Sequence, residues 1–206
     1  MVVLVLLAGC AIASAQDVGA GKFELSGWPV GGLYLKGGDD NTEVNFNDYS
    51  YGGGATFYLN PTVGVEVEAS YGLGLAQGVV YKNKDVHHVE VPNTLQTSGN
   101  IVLFLGGATK NKQFVPYVTG GAGVMTLISR GSTAQFGINS AEYHTAENVG
   151  AGAKVFRGGE AHNWGVRGDW RFIFVNSKSS AVPFFAQSKQ RWGYRMYIGL
   201  LYTVKR

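Results

Sequence analysis

The residues best placed to do chemistry are the charges of two short alternating stretches, Glu66 and Glu68 in one and Arg167, Asp169 and Arg171 in the other. Carboxylates and guanidiniums repeating at every second residue project from one face of an extended strand. Such rows either pair with an opposing row or bind and pass ions where water reaches them. Other patterns carry less. Gly37-Gly38-Asp39-Asp40-Asn41-Thr42 is rich in oxygen but lacks the spaced ligands and closing glutamate of an EF-hand, so it reads as a solvated turn. Gly72-Leu73-Gly74 and Gly150-Ala151-Gly152-Ala153-Lys154 have neither the phosphate-loop spacing nor a following helical pattern, and read as glycine-rich strand. His87-His88 could hold a metal with Asp85 or Glu90, but adjacent side chains on a strand point apart, which favours an exposed pair. Ser129, Glu142 and His144 are the residue types of a hydrolase or acyltransferase, with no spacing that sets them apart from interface residues. No catalytic, metal-binding or cofactor-binding residue is expected, and the chain reads as a non-enzyme.

Composition narrows the scaffold that must position these charges. Glycine supplies 31 of 206 residues, aromatics 13% and charged residues only 15%. Glycine weakens a helix by about 1 kcal/mol relative to alanine but suits strands that bend and approach other backbone. The net charge of +3 comes without a basic run, which argues against a nucleic-acid partner. Cys10 is the single cysteine, so no internal disulfide can form and stability must come from burial and backbone pairing. Residues 1–15 form an apolar stretch ending in Ala13-Ser14-Ala15 before Gln16-Asp17, the form of a secretory signal peptide. It lacks a positive leading segment, which points to a start internal to the gene. Leu7-Ala8-Gly9-Cys10 also has the form of a lipobox, in which Cys10 would be lipidated; cleavage after Ala15 is the preferred reading.

Beyond Ala15 no apolar run approaches the roughly 18–20 residues of a membrane-spanning helix. Period-two alternation recurs instead, in segments near Lys22–Lys36, Glu43–Leu59, Thr62–Gly72, Leu95–Gly107, Phe114–Ser129, Glu142–Phe156, His162–Val175 and Trp192–Val204. Their connections alternate in length: Gly37–Thr42, Leu73–Thr94, Arg130–Ala141 and Asn176–Arg191 are long, while Asn60-Pro61, Ala108–Gln113 and Arg157–Ala161 are short. Long loops at one end and tight turns at the other are the asymmetry of an outer-membrane barrel, whose even strand number places both termini on the short-turn side. The expected fold is all-β, an eight-stranded antiparallel up-and-down transmembrane β-barrel over residues 16–206.

Periodicity then sorts side chains. Trp164, Trp170 and Phe172 share one face of the seventh segment, and Trp192, Tyr194 and Tyr202 one face of the eighth, with aromatics bracketing aliphatics as at the two interfaces of a membrane. These are expected to meet lipid or its interface. The opposite faces place Glu24, Glu66, Glu68, Lys154, Arg167, Asp169, Arg171 and Arg195 inside, with Asn100 and Asn148. Similar depths of Glu66, Glu68 and the Arg167–Arg171 row predict ion pairs across a narrow lumen, read as a structural plug before a gate.

The eight-strand pattern, the stretch Phe114-Val115-Pro116-Tyr117-Val118-Thr119-Gly120-Gly121-Ala122-Gly123 and the closing Tyr197-Ile198-Gly199-Leu200-Leu201-Tyr202 resemble the outer-membrane protein β-barrel family of the OmpA transmembrane domain and OmpX-like proteins. The resemblance implies a monomer in the outer membrane of a Gram-negative-type bacterium, with a polar, filled interior and extracellular loops. Its partners would be outer-membrane lipid and lipopolysaccharide, with periplasmic chaperones and the barrel-assembly machinery during biogenesis. The chain ends Thr203-Val204-Lys205-Arg206 where such proteins often end on an aromatic, so recognition by that machinery falls to Tyr202. No peptidoglycan-binding domain follows the last strand, and the anchoring role of full-length OmpA does not carry over. The expected role is structural or surface-interacting; the alternatives are a narrow porin-like channel, a lipid-modifying enzyme, or a soluble lipocalin-like barrel with an apolar interior.

Overall fold

In a computed structural model, residues 21–36, 45–81, 84–108, 113–130, 141–157, 163–176 and 190–204 are described. The signal segment with Cys10, the Gly37–Thr42 loop and most of the Arg130–Ala141 and Asn176–Arg191 loops lie outside them. Ten strands follow in chain order: β1 Phe23–Leu35, β2 Phe46–Tyr58, β3 Val63–Gly74, β4 Ala76–Tyr81, β5 Lys84–Glu90, β6 Asn93–Phe104, β7 Phe114–Ile128, β8 Glu142–Phe156, β9 Trp164–Asn176 and β10 Gln190–Val204. Eight of them close a barrel in the order β1-β10-β9-β8-β7-β6-β3-β2, all antiparallel, so no sheet edge is left in the ring. These eight are the alternating segments of the sequence.

The remaining pair, β4 and β5, corrects one expectation. Leu73–Thr94 reads in sequence as a loop, yet it contains a separate two-stranded antiparallel sheet in which Ala76 faces Glu90 and Tyr81 faces Lys84. The hairpin continues from β3 and returns into β6, and Pro92, which has no N–H to give a ladder, separates β5 from β6.

Tight turns set the other end. The Asn60 side chain accepts hydrogen bonds from the backbone N–H groups of Thr62 and Val63, both at 2.8 Å, and so fixes the β2–β3 turn. The β6–β7 turn needs Gly106 and Gly107, whose φ angles of 73° and 76° are left-handed. Its Ala108 N–H donates to the Pro61 carbonyl at 2.6 Å, tying two short turns together.

Strand β1 is interrupted at mid-height. Its register shifts between Gly27 and Val30 against β10 and between Trp28 and Gly32 against β2, a bulge centred on Trp28-Pro29. The extra residue inverts side-chain parity: Glu24 and Trp28 point inward below it, Leu33 and Leu35 above it. Pro29 is tolerated where the ladder is broken, and its carbonyl accepts a hydrogen bond from the Tyr49 hydroxyl. Trp28 fits because Gly52 lies beside it; a Cβ at Gly52 would press on the Trp28 ring at 2.8 Å.

Polarity is reversed relative to a water-soluble barrel. Outward positions are apolar and open, such as Ile198 at 66% and Leu200 at 59% exposure, while the interior holds charges. A lipocalin-like apolar calyx is therefore not what this ring encloses.

Candidate functional site

All eight charged side chains expected inside lie in the lumen and are buried, Glu24, Glu66, Lys154 and Arg167 completely. Alternation delivers them, since each sits at an inward position of β1, β3, β8, β9 or β10. Ring order decides who meets whom: β9 and β3 lie on opposite sides of the closed ring. Contacts between them cross the lumen.

At the level nearest the short turns, Lys154 Nζ lies 2.7 Å from Glu24 Oε1 and donates to the Tyr58 hydroxyl at 3.1 Å. Tyr58 in turn donates to Glu24 Oε2 at 2.7 Å. The ammonium also lies 4.8 Å from the Phe104 ring centroid and 5.2 Å from that of Tyr58, and these two rings stack. Valine and aromatic side chains, Val102, Val115 and Tyr117 among them, close the packing around this group.

One layer further, Arg167 binds Glu66 with both terminal nitrogens, Asp169 at 2.9 Å and the Tyr117 hydroxyl at 2.7 Å through Nε. Arg171 reaches Glu66 at 2.8 Å, Asp169 at 2.8 Å and Glu68 at 2.6 Å. Each guanidinium thus bridges β9 to β3, and the planar fork of arginine suits several carboxylates at once. Thr56 donates to Glu66 at 3.0 Å, and Tyr117 to Asp169 at 2.6 Å.

The next layer joins Arg195 to Glu68 at 3.0 Å and to the Ser70 hydroxyl at 2.9 Å. Tyr197 donates to Glu68 at 2.9 Å while its ring stacks on Trp28 at 4.1 Å. Asn148 donates to Asn100 at 2.9 Å beside them. Towards the long loops apolar side chains enter the lumen, Leu33, Leu35, Met125, Leu127, Ile173 and Val175 among them, beside buried His144 and Arg191. Asp48, held by the Thr94 hydroxyl at 2.9 Å, is embedded there.

The eight charges are four carboxylates and four cations, so the set is neutral as a whole. Sequence reasoning did not single out Thr56, Tyr58, Tyr117, Tyr197 or Trp28, which complete the network. Parity was the available signal for Trp28, shared with Glu24, and for Tyr197, shared with Arg195, but aromatics in such a chain read first as membrane-belt residues.

The aromatics expected outside sit on the outward faces. Trp164 is 58% exposed and leans on Tyr202 at 4.8 Å, while Trp170 and Phe172 pack at 5.1 Å. Trp192 is exposed, and Tyr194 and Tyr202 are half-buried on the same face of β10. Of the weaker candidates, His144 Nε2 lies 3.5 Å from Glu142 at the long-loop end, and the Ser129 hydroxyl donates to the Arg130 carbonyl at 3.4 Å. His87 and His88 fall on β5. No group of three metal-ligating side chains occurs among the described residues.

Comparison with known proteins agrees with this architecture. No curated protein sequence matches the chain. Among solved structures, Pseudomonas aeruginosa OprG superposes with a TM-score of 0.54 at 16% identity, over 94% of this chain and 100% of that one. The N-terminal β-barrel domain of P. aeruginosa OprF gives 0.52 at 16% identity, over 89% and 99%. Yersinia pestis Ail, the attachment invasion locus protein, in complex with a heparin analogue, gives 0.50 at 15% identity, over 90% and 99%. At such identities the likeness concerns the fold. A family model, the outer membrane protein beta-barrel domain, matches residues 2–203. A closed eight-stranded ring with an apolar exterior and a charged interior, matched by that model over nearly its whole length, makes this chain a member of the outer membrane protein β-barrel domain family.

Proposed function

We propose that the chain is a structural or surface-interaction barrel of the outer membrane, whose lumen is plugged and whose long loops and β4–β5 hairpin face outward from the cell. The observation that carries this reading is the neutral, cross-lumen set of four carboxylates and four cations, in which Arg167 and Arg171 span from β9 to Glu66 on β3. Ions would have to break charge-assisted hydrogen bonds in a poorly hydrated interior, which costs several kcal/mol per uncompensated charge. The protein is a monomer exported through residues 1–15 in a Gram-negative-type bacterium, meets outer-membrane lipid and lipopolysaccharide, and is handled by periplasmic chaperones and the barrel-assembly machinery. It performs no catalysis. Planar-bilayer recording of the refolded protein tests the plug: the expected result is no discrete conductance. Reproducible steps that change ion selectivity in Glu66→Gln would establish the narrow-channel alternative instead.

A further inference from the structure

Inside the eight barrel strands, all described charged side chains but one point into the lumen. The exception is Glu147 on β8, which is exposed on the outward face. Its cross-strand neighbours are Ala122 on β7 and Phe174 on β9, and no described hydrogen bond or ion pair reaches its carboxylate. Thr145 is exposed on the same face, two residues nearer the long loops. An ionisable group on a surface otherwise given to lipid is costly unless a partner meets it.

Below it lies a place for the rest of such a partner. An open groove of about 590 Å³ crosses the outward face from β8 to β1, floored by Ala151, Gly168 and Gly32 and walled by Trp170, Met196 and Ile198. A side chain added at Gly168 or Gly32 would meet nothing within 4 Å, so the depression is a feature of the surface and not of tight backbone packing. Ala151 is four residues from Glu147, about 13 Å along the strand at about 3.3 Å per residue. With strands tilted about 40°, that is roughly 10 Å of depth, deeper than the roughly 5–8 Å headgroup zone of one leaflet. The carboxylate is at headgroup level when the groove is among acyl chains.

We propose that Glu147 and this groove together seat a lipid whose headgroup bears a primary ammonium, the cation on Glu147 and one acyl chain in the groove. An ammonium brings one positive charge and three donors, which a carboxylate and a nearby threonine hydroxyl can accept. A divalent cation bridging to a lipid phosphate fits less well, because calcium or magnesium needs six or more oxygen ligands and one carboxylate supplies at most two.

Native mass spectrometry tests this on the full folded chain released from nanodiscs holding equal amounts of ethanolamine- and glycerol-headgroup phospholipids with identical chains. Retained lipid should favour ethanolamine by up to about fivefold, the upper end of what an exposed ion pair supports. Glu147→Gln should abolish the preference, and Gly168→Leu, whose Cβ meets nothing within 4 Å and whose side chain occupies the groove, should cut retention of both lipids. Heat-modifiable gel mobility confirms that each variant is folded. Wild-type protein without headgroup preference overturns the proposal, as does a preference that survives Glu147→Gln. Unchanged retention in Gly168→Leu removes the groove from it. A preference lost on adding a chelator replaces it with a cation-bridged phosphate lipid.

Discussion

Lys154 shows how much a single lumen charge depends on its partners. It is completely buried, and Glu24, also completely buried, is its ion-pair partner. Removing one member leaves the other charged and desolvated, at a cost of about 3–5 kcal/mol, whereas removing both leaves a polar site that can pack. Lys154→Met should therefore lower stability by that amount, and the double variant Glu24→Gln/Lys154→Met should recover most of it. Urea unfolding in lipid vesicles, followed by tryptophan fluorescence, reads both; a double variant no better than the single would show that packing and not charge pairing governs the site. Arg167→Ala is expected to be at least as costly, because Glu66, Asp169 and Tyr117 all hydrogen-bond that guanidinium. It should cost more than any substitution in the loops, measured the same way. The inward direction of these residues was legible from their alternation alone. Their pairing was not, because whether Lys154 meets Glu24 or Glu66 depends on ring closure and stagger, which no local pattern contains. Tyr58 and Tyr117 stayed hidden because their type suggested the membrane belt while their parity, shared with Thr56 and Val115, pointed inward.

Among the elements, the strands were readable and their irregularities were not. Strand β3 alternates without a fault from Val63 to Gly74, and its burial follows the sequence step for step. Strand β1 does not, since the bulge at Trp28-Pro29 shifts the inward set from even to odd positions, and a period-two reading carried through it misplaces Leu33 and Leu35. Pro29 was the visible marker, as proline gives the ladder no N–H and is favoured at bulges. The β4–β5 hairpin escaped because histidines and charges obscure its alternation. The bulge leaves the Pro29 carbonyl without a ladder partner on the membrane side, where water cannot replace one, and the Tyr49 hydroxyl supplies it. Tyr49→Phe keeps the ring and removes only that donor. It should lower stability by about 1–3 kcal/mol, seen as a lower temperature for loss of the compact band in heat-modifiability gels. An unchanged temperature would mean that the carbonyl finds another donor.

Across the whole molecule, closure of the ring turns local alternation into a direction through the membrane. Connections at one end are tight and mutually bonded, as when Ala108 donates to the Pro61 carbonyl, while the other end carries the β4–β5 hairpin. Barrels of this family keep short turns in the periplasm and long connections outside, so the hairpin should be extracellular and Thr62 periplasmic. Single-cysteine variants test the direction, with Gln77→Cys on β4 and Thr62→Cys in the exposed β2–β3 turn. A membrane-impermeant maleimide applied to intact cells should label the first and spare the second, and permeabilising the outer membrane should make both reactive. The opposite pattern would invert the barrel and would place Glu147, which sits towards the long-connection end of β8, in the periplasmic leaflet. The lipid seat and the orientation are thus linked, and the labelling result fixes which leaflet must supply the ammonium headgroup.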